Sequence, residues 1–272
     1  MQASRESGIS QATLSRHLAA LEDDLQVVLF DRTGKGLTLL SAGEVLYEQA
    51  CKLEEAAHRF SSVADDLSQN DAGVVRVSAS ELVSYFDLPA VLKRLREQHS
   101  SIHIELVAAD TTSNLLSREA DIAIRMYRPE HMDLIAKKIG EYEVGAYAST
   151  DYIAAYGLPE SIEDLKKFDL IGEDKSRELL IELNELGMDI TRDAFRYKCD
   201  NRLVAWNLMC SGCGIGFFAI RPESLPVDVQ QIGDVTVTLP VWLTCNVEMK
   251  TSKRIRLVFE FLSDELSGLY GS

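Results

Sequence analysis

Leu46, Ala50, Leu53, Ala57, Phe60, Ala64 and Leu67 recur at alternating spacings of four and three residues, and this regularity constrains the chain more than any other stretch. Apolar side chains at a 3.5-residue period form one narrow seam along an α-helix, the seam by which two helices pair. A helix packed only on its own domain needs a broader apolar face. The small alanines at alternate positions, with Glu, Lys, Arg and Asp elsewhere, therefore predict self-association through these seven residues. Ser41 and Glu44 make a capping box that starts the helix, and Gln69-Asn70-Asp71-Ala72-Gly73 ends it as a hinge. Residues 41–72 are thus a linker and dimerisation helix between two dissimilar regions.

Ahead of the linker, Leu14, Leu18, Leu21 and Leu25 form one helical stripe, with Ser10 as N-cap. Ser7-Gly8-Ile9-Ser10 reads as a tight turn, and Ala3 to Ser7 as the tail of another helix. Helix, Gly-containing turn and helix make a helix-turn-helix. Leu29-Phe30-Asp31 and Gly36-Leu37-Thr38-Leu39 flank a basic Gly-Lys-Gly tip, a hairpin that serves as a wing.

Beyond the linker, strands and helices alternate. Strands are expected at Val74–Val77, Ile102–Leu106, Ile122–Ile124, Tyr142–Tyr147, Leu170–Ile171, Ile215–Phe218, Val235–Thr238 and Val241–Val247. Helices are expected at Leu88–His99, Thr112–Arg118, Asp151–Tyr156, Ile162–Lys167, Arg202–Cys210 and Ser252–Leu266. The rhythm predicts an α/β domain with a mainly parallel sheet.

At this point the residues resemble a known family. The run Ser10-Gln11-Ala12-Thr13-Leu14-Ser15-Arg16-His17-Leu18, the hairpin Leu29 to Leu39 and Ser41-Ala42-Gly43-Glu44 look like the winged helix of LysR-type transcription regulators. Asp121-Ile122-Ala123-Ile124-Arg125, Ala148-Ser149-Thr150-Asp151-Tyr152, Gly214-Ile215-Gly216 and Val258-Phe259-Glu260-Phe261-Leu262 resemble that family's effector domain, a two-lobed fold like the periplasmic binding proteins. The resemblance implies a winged helix-turn-helix over 1–40 lacking its first helix, the linker over 41–72 and an effector domain over 73–272. Lobe I would take 73–144 and 240–272, and lobe II 145–239. With the first helix absent, Leu14, Leu18 and Leu21 should be exposed.

The implied function is a cytoplasmic, DNA-binding regulator, dimeric or tetrameric, that answers a small-molecule effector, with no cofactor, metal or membrane partner. In a helix-turn-helix the second helix enters the major groove by its N-terminal residues, here Gln11, Thr13, Ser15 and Arg16. Arg32, Thr33 and Lys35 on the wing would meet phosphates or the minor groove. Two-lobed α/β domains bind ligands at strand ends and helix N-termini. The effector candidates are Ser78, Ser80, Thr111, Thr112, Arg125, Asp200 and Asn201, a set that suits a small anion.

Two other readings stay open: a sensing and dimerising protein without strong DNA binding, and a small-molecule-binding protein or enzyme on the same two-lobed fold. The net charge of −15 argues against coating nucleic acid non-specifically but leaves site-specific binding possible. Around the reading helix, Arg5, Arg16, Arg32 and Lys35 face Glu6, Glu22, Asp23, Asp24 and Asp31, less basic than the family's usual DNA-binding end. The N-terminus has no hydrophobic signal core, and no apolar run approaches the ~20 residues of a membrane span. Five cysteines fit reduced thiols better than a disulfide framework. Cys210-Ser211-Gly212-Cys213 lacks a second pair of metal ligands and reads as packing rather than redox chemistry. Gly212 to Gly216 precedes a strand instead of following one, so a phosphate cradle fails there. No nucleophile, base and orienting acid assemble, and catalysis is not expected.

Overall fold

A computed structural model describes residues 9–33, 36–67, 72–110, 120–129, 134–247 and 252–271. The chain divides into two compact units, Met1–Ser62 and Val63–Ser272, within one long helix.

In the first unit, α1 (Gln11–Leu25) starts at Ser10, whose Oγ accepts the Thr13 N–H at 3.2 Å. It ends at Gln26, which takes a left-handed conformation with φ 52°. Glu22 then turns the chain back: its Oε1 accepts the N–H groups of Leu29 at 2.8 Å and Phe30 at 3.0 Å. Strands β1 (Phe30–Thr33) and β2 (Gly36–Leu39) pair antiparallel, Phe30 opposite Leu39. Leu29 is buried beneath this corner, and its carbonyl lies so near Gly43 that a Cβ there would stand 2.4 Å from it. Helix α1 has no buried residue: Leu21 is 47% exposed, as expected, whereas Leu14 and Leu18 are half-buried.

Helix α2 (Ser41–Leu67) runs for 27 residues, about 40 Å at the α-helical rise. Of the seam, Leu46, Ala50, Leu53, Ala57 and Phe60 are exposed, Leu53 to 72% and Phe60 to 78%. The side chains of Ala64 and Leu67 lie outside the described residues.

The second unit is built on a six-stranded sheet in the order β4-β3-β5-β10-β6-β9. Its strands are β3 (Gly73–Ala79), β4 (Ile102–Ala108), β5 (Ile122–Arg125), β6 (Leu134–Ser149), β9 (Gly216–Ala219) and β10 (Val229–Asn246). Only β3 with β4 and β3 with β5 are parallel. The expected mainly parallel sheet is therefore a mixed one. The difference comes from β6 and β10, which pair antiparallel from Val229 opposite Ser149 to Asn246 opposite Leu134. Strand β10 continues through Pro240, beside a register shift at Val241/Trp242 that accommodates a residue with no N–H to donate.

These two strands run through both lobes. Around one half pack α3 (Glu81–Phe86), α4 (Leu88–Gln98) and the closing helix α8 (Lys253–Tyr270). Val77, Leu88, Val91, Ile122, Val258 and Leu262 are buried in that core. Around the other half pack α5 (Thr150–Tyr156), α6 (Glu178–Glu185), α7 (Arg202–Cys210) and a small sheet of β7 (Leu170–Gly172) and β8 (Phe195–Lys198). Leu170, Met188, Ile215 and Met209 are buried there, in two adjoining clusters. The Asp87 carboxylate ties the lobes: it accepts from Tyr142 Oη at 3.0 Å, Tyr270 Oη at 2.9 Å and Arg221 Nε at 2.9 Å. Burial first, and the Asp87 charge second, push both phenols well above their ordinary range.

Candidate functional site

Between the lobes lies a cavity of about 230 Å³. Lobe I supplies Ser80, Asp110 and Arg125 from the ends of β3, β4 and β5. Lobe II supplies Glu173 after β7, Glu178 and Glu182 from α6, and Arg202 from the start of α7. Ile124, Met126, Leu179 and Leu239 contribute apolar wall.

The cations here are already engaged. Arg125, only 7% exposed, donates from Nη2 to Ser78 Oγ at 2.8 Å and from Nη1 to the Ile124 carbonyl at 2.9 Å. Arg202 donates to the Phe217 carbonyl at 2.7 Å, lies over the Phe218 ring and stands 3.9 Å from Glu173. The helix N-termini are also occupied. Ser80 caps α3 through the Val83 N–H at 3.3 Å, and Asp110 accepts the Glu81 N–H at 3.2 Å. Across the cleft, Asn201 caps α7 through Val204 N–H at 2.8 Å while its Nδ2 donates to Glu81 Oε1 at 2.8 Å. The other oxygen of Glu81 accepts the Arg202 N–H at 2.8 Å.

Two of the acids feel the crowding. Desolvation, with Glu81 close by, raises the pKa of Asp110. Desolvation, then Glu173 and Glu178, raise that of Glu182.

Of the residues expected from sequence, Ser80 and Arg125 line the cavity and Ser78 sits behind it, buried, as the partner of Arg125. Asn201 stands beside the cavity in contact with Glu81. Asp200 turns away, its Oδ1 accepting the Asp174 and Lys175 N–H groups, each at 2.9 Å. Those bonds, the one from Lys175 foremost, hold its pKa below the ordinary range. Thr111 and Thr112 lie outside the described residues. Asp110, Glu173, Glu178, Glu182 and Arg202 were not foreseen. The one sequence signal for them was Glu178 and Glu182 at a spacing of four, which puts them on one helix face.

At the other end of the chain, Gln11 and Arg16 are exposed on the first turns of α1, and Thr13 and Ser15 are half-buried. The Thr13 hydroxyl hydrogen-bonds Ser10 Oγ at 2.8 Å. Arg32 and Thr33 belong to β1, but their side chains, and Lys35 altogether, lie outside the described residues.

Cys210 and Cys213 are free thiols packed at the end of α7, and desolvation raises the Cys210 pKa, the opposite of what an attacking thiolate needs. Among the described residues no cluster of His, Cys, Asp and Glu could hold a metal ion, and no helix is long and apolar enough to cross a membrane.

Comparison with known proteins agrees with this architecture. Residues 1–44 match the model of the bacterial regulatory helix-turn-helix protein, lysR family, and residues 68–267 match the LysR substrate binding domain. The chain is similar to the HTH-type transcriptional regulator PtxR of Pseudomonas aeruginosa, 27% identical over 241 residues that cover 86% of this chain and 75% of PtxR. It is 26% identical to the regulator CrgA of Neisseria meningitidis serogroup C, over 97% of this chain and 91% of CrgA. The full-length structure of the Vibrio cholerae virulence activator AphB has a like fold, with a TM-score of 0.63 at 23% identity, covering 98% of this chain and 92% of that one. With its N-terminal segment and nearly three-quarters of its length accounted for by these two models, the chain belongs to the LysR family of transcriptional regulators.

Proposed function

We propose that this chain is a cytoplasmic, ligand-responsive regulator that reads an operator through the exposed start of α1 and the β1–β2 wing. Copies pair through the seam of α2, and a small molecule enters the cleft between the lobes of residues 73–272. The observation that carries the reading is that cleft: a cavity at strand ends and helix N-termini within the segment matching the substrate-binding model. A ligand touching both lobes favours one relative placement of them and so biases whatever the paired DNA-reading ends can reach.

The test is a pair of measurements on the full chain. Duplexes selected from a random pool are titrated by fluorescence anisotropy, and the titration is repeated with each compound that raises the melting temperature. Sequence-selective binding whose affinity changes with such a compound supports the reading. Selective binding that no stabilising compound alters removes the sensor, and absence of selective binding removes the reader.

A further inference from the structure

We infer that the cleft is built for a small organic cation, an amine or guanidine carried on an apolar body, rather than for the anion its hydroxyls suggest. This rests on the reading of the cavity as the effector site; the charge of its lining decides the class of ligand.

Among the described lining residues, four carboxylates (Asp110, Glu173, Glu178 and Glu182) face two guanidiniums. An anion would need donors aimed into the cleft, and the described cations are already bonded to the protein itself. Arg125 is bonded to Ser78 and the Ile124 carbonyl, and Arg202 to the Phe217 carbonyl. The start of α7, where a helix dipole would welcome an anion, already holds the Glu81 carboxylate. The start of α3 is served by Ser80 and Asp110. The chain has thus set its own carboxylates at the starts of α3 and α7, and it holds the two guanidiniums with a hydroxyl and backbone carbonyls. An added negative charge would meet four carboxylates of like sign.

A cation meets the opposite field. Glu178 and Glu182 project from one face of α6, and Asp110 stands on lobe I. An ammonium between them has acceptors from both lobes, which is what lobe closure requires. The raised pKa values of Asp110 and Glu182 agree with this: burial first, and then neighbouring carboxylates, disfavour their charged forms. Leu179, Met126 and Leu239 give the rest of the molecule an apolar bed. At about 230 Å³ the space lies below the roughly 300–1,000 Å³ of drug-sized pockets, so the ligand is of metabolite size.

The experiment uses the purified full chain and thermal-shift titration, followed by calorimetry. One panel holds benzylamine, phenethylamine, butylamine and agmatine; the other holds benzoate, phenylacetate, valerate and glutarate. The expected result is stabilisation by members of the first panel and none by the second. Glu182→Gln should weaken the best amine about tenfold or more. Glu178→Gln, on the same helix face, gives a second variant with the same expected direction should the first fold poorly. Stabilisation by carboxylates and not by amines overturns the inference and leaves the sensor reading standing. Amine binding that neither variant weakens also overturns it, because the cation then sits elsewhere. No stabilisation from either panel overturns both.

Discussion

Glu81, on the first turn of α3 in lobe I, accepts the backbone N–H of Arg202, the first residue of α7 in lobe II, at 2.8 Å. The second Glu81 oxygen takes the Asn201 side chain, so one carboxylate both caps a helix of the opposite lobe and fastens the cleft along one side. Glu81→Gln keeps the shape and removes the charge. It should lower stability by about 1 kcal/mol, the loss of charge-assisted bonds at a helix start after solvent screening. It should also remove the resident negative charge from the α7 N-terminus, so sulfate should raise the variant's melting temperature more than that of the unaltered protein. Identical melting and identical sulfate response would mean that this contact holds nothing.

The acids of the cleft tie stability to pH. The pKa of Glu182 is raised on folding, by desolvation and then by Glu173 and Glu178. A carboxyl whose pKa is raised on folding favours the native state while protonated. That contribution is present below the unfolded value and is lost as pH rises through the folded one. At neutral pH Glu182 therefore burdens the apo protein, and Glu182→Gln should raise its melting temperature by a degree or two. The difference should shrink on acidification from neutrality into the ordinary carboxylate range. Melting curves across that window are the check; a variant less stable at pH 7 would show that the charge is satisfied after all.

A carboxylate outside the cleft has the reverse standing. Asp87 is buried and satisfied by Tyr142, Tyr270 and Arg221, which come from β6, the end of α8 and the turn after β9. Asp87→Ala takes from Arg221 its buried partner, leaving it the exposed Glu223 at 3.7 Å, and leaves two phenols without their acceptor; it should cost about 3 kcal/mol or more. Urea denaturation measures this. A loss below about 1 kcal/mol would demote Asp87 from the joint between the lobes to a replaceable polar group.

How much of this was legible in the sequence depended on how local the controlling physics was. The limits of α7 follow from Asn201 as cap and an unbroken apolar pattern, and they fall at Arg202 and Cys210 as expected. The long strands read as shorter ones in the sequence because Gly140, Gly233 and Pro240 punctuate them as turns would. Continuous pairing of β6 with β10 overrides that local signal. Helix α3 has six residues and α6 eight, too few to display a clear apolar period, so the four-residue spacing of Glu178 and Glu182 stands in the sequence without a helix to give it meaning. Ser80 and Arg125 were found because strand ends mark the cleft in such folds. Asp200 was chosen by the same rule, yet its carboxylate is consumed by backbone N–H groups of its own loop. The sign of the cleft's charge depends on which side chains are spent on one another, and spacing in a sequence does not record that.

In the proposed DNA-reading segment, Arg16 is exposed on α1, whose first turn carries no acidic residue. An arginine there has the reach to contact a guanine edge in two places at once. Arg16→Ala should therefore weaken selected duplexes by about 1–3 kcal/mol and relax the sequence preference at one position. Anisotropy titration against single-base variants of the duplex measures both effects. Uniform weakening across all sequences would make Arg16 a phosphate contact instead.

The last prediction concerns α2. Leu53 and Phe60 are 72% and 78% exposed on the same seam as Leu46, Ala50 and Ala57. Large apolar side chains left in water at coiled-coil spacing are the complement of a second helix. Leu53→Glu places a charge in the middle of that seam and should weaken self-association at least tenfold, the loss expected when a central apolar anchor is removed. Glu48, exposed on the same helix but off the seam, supplies the control: Glu48→Ala should leave assembly unchanged. Sedimentation velocity over a concentration series separates the two. Should Leu53→Glu sediment like the unaltered protein, the seam is not where copies meet; should Glu48→Ala dissociate as well, the interface is broader than a two-helix seam.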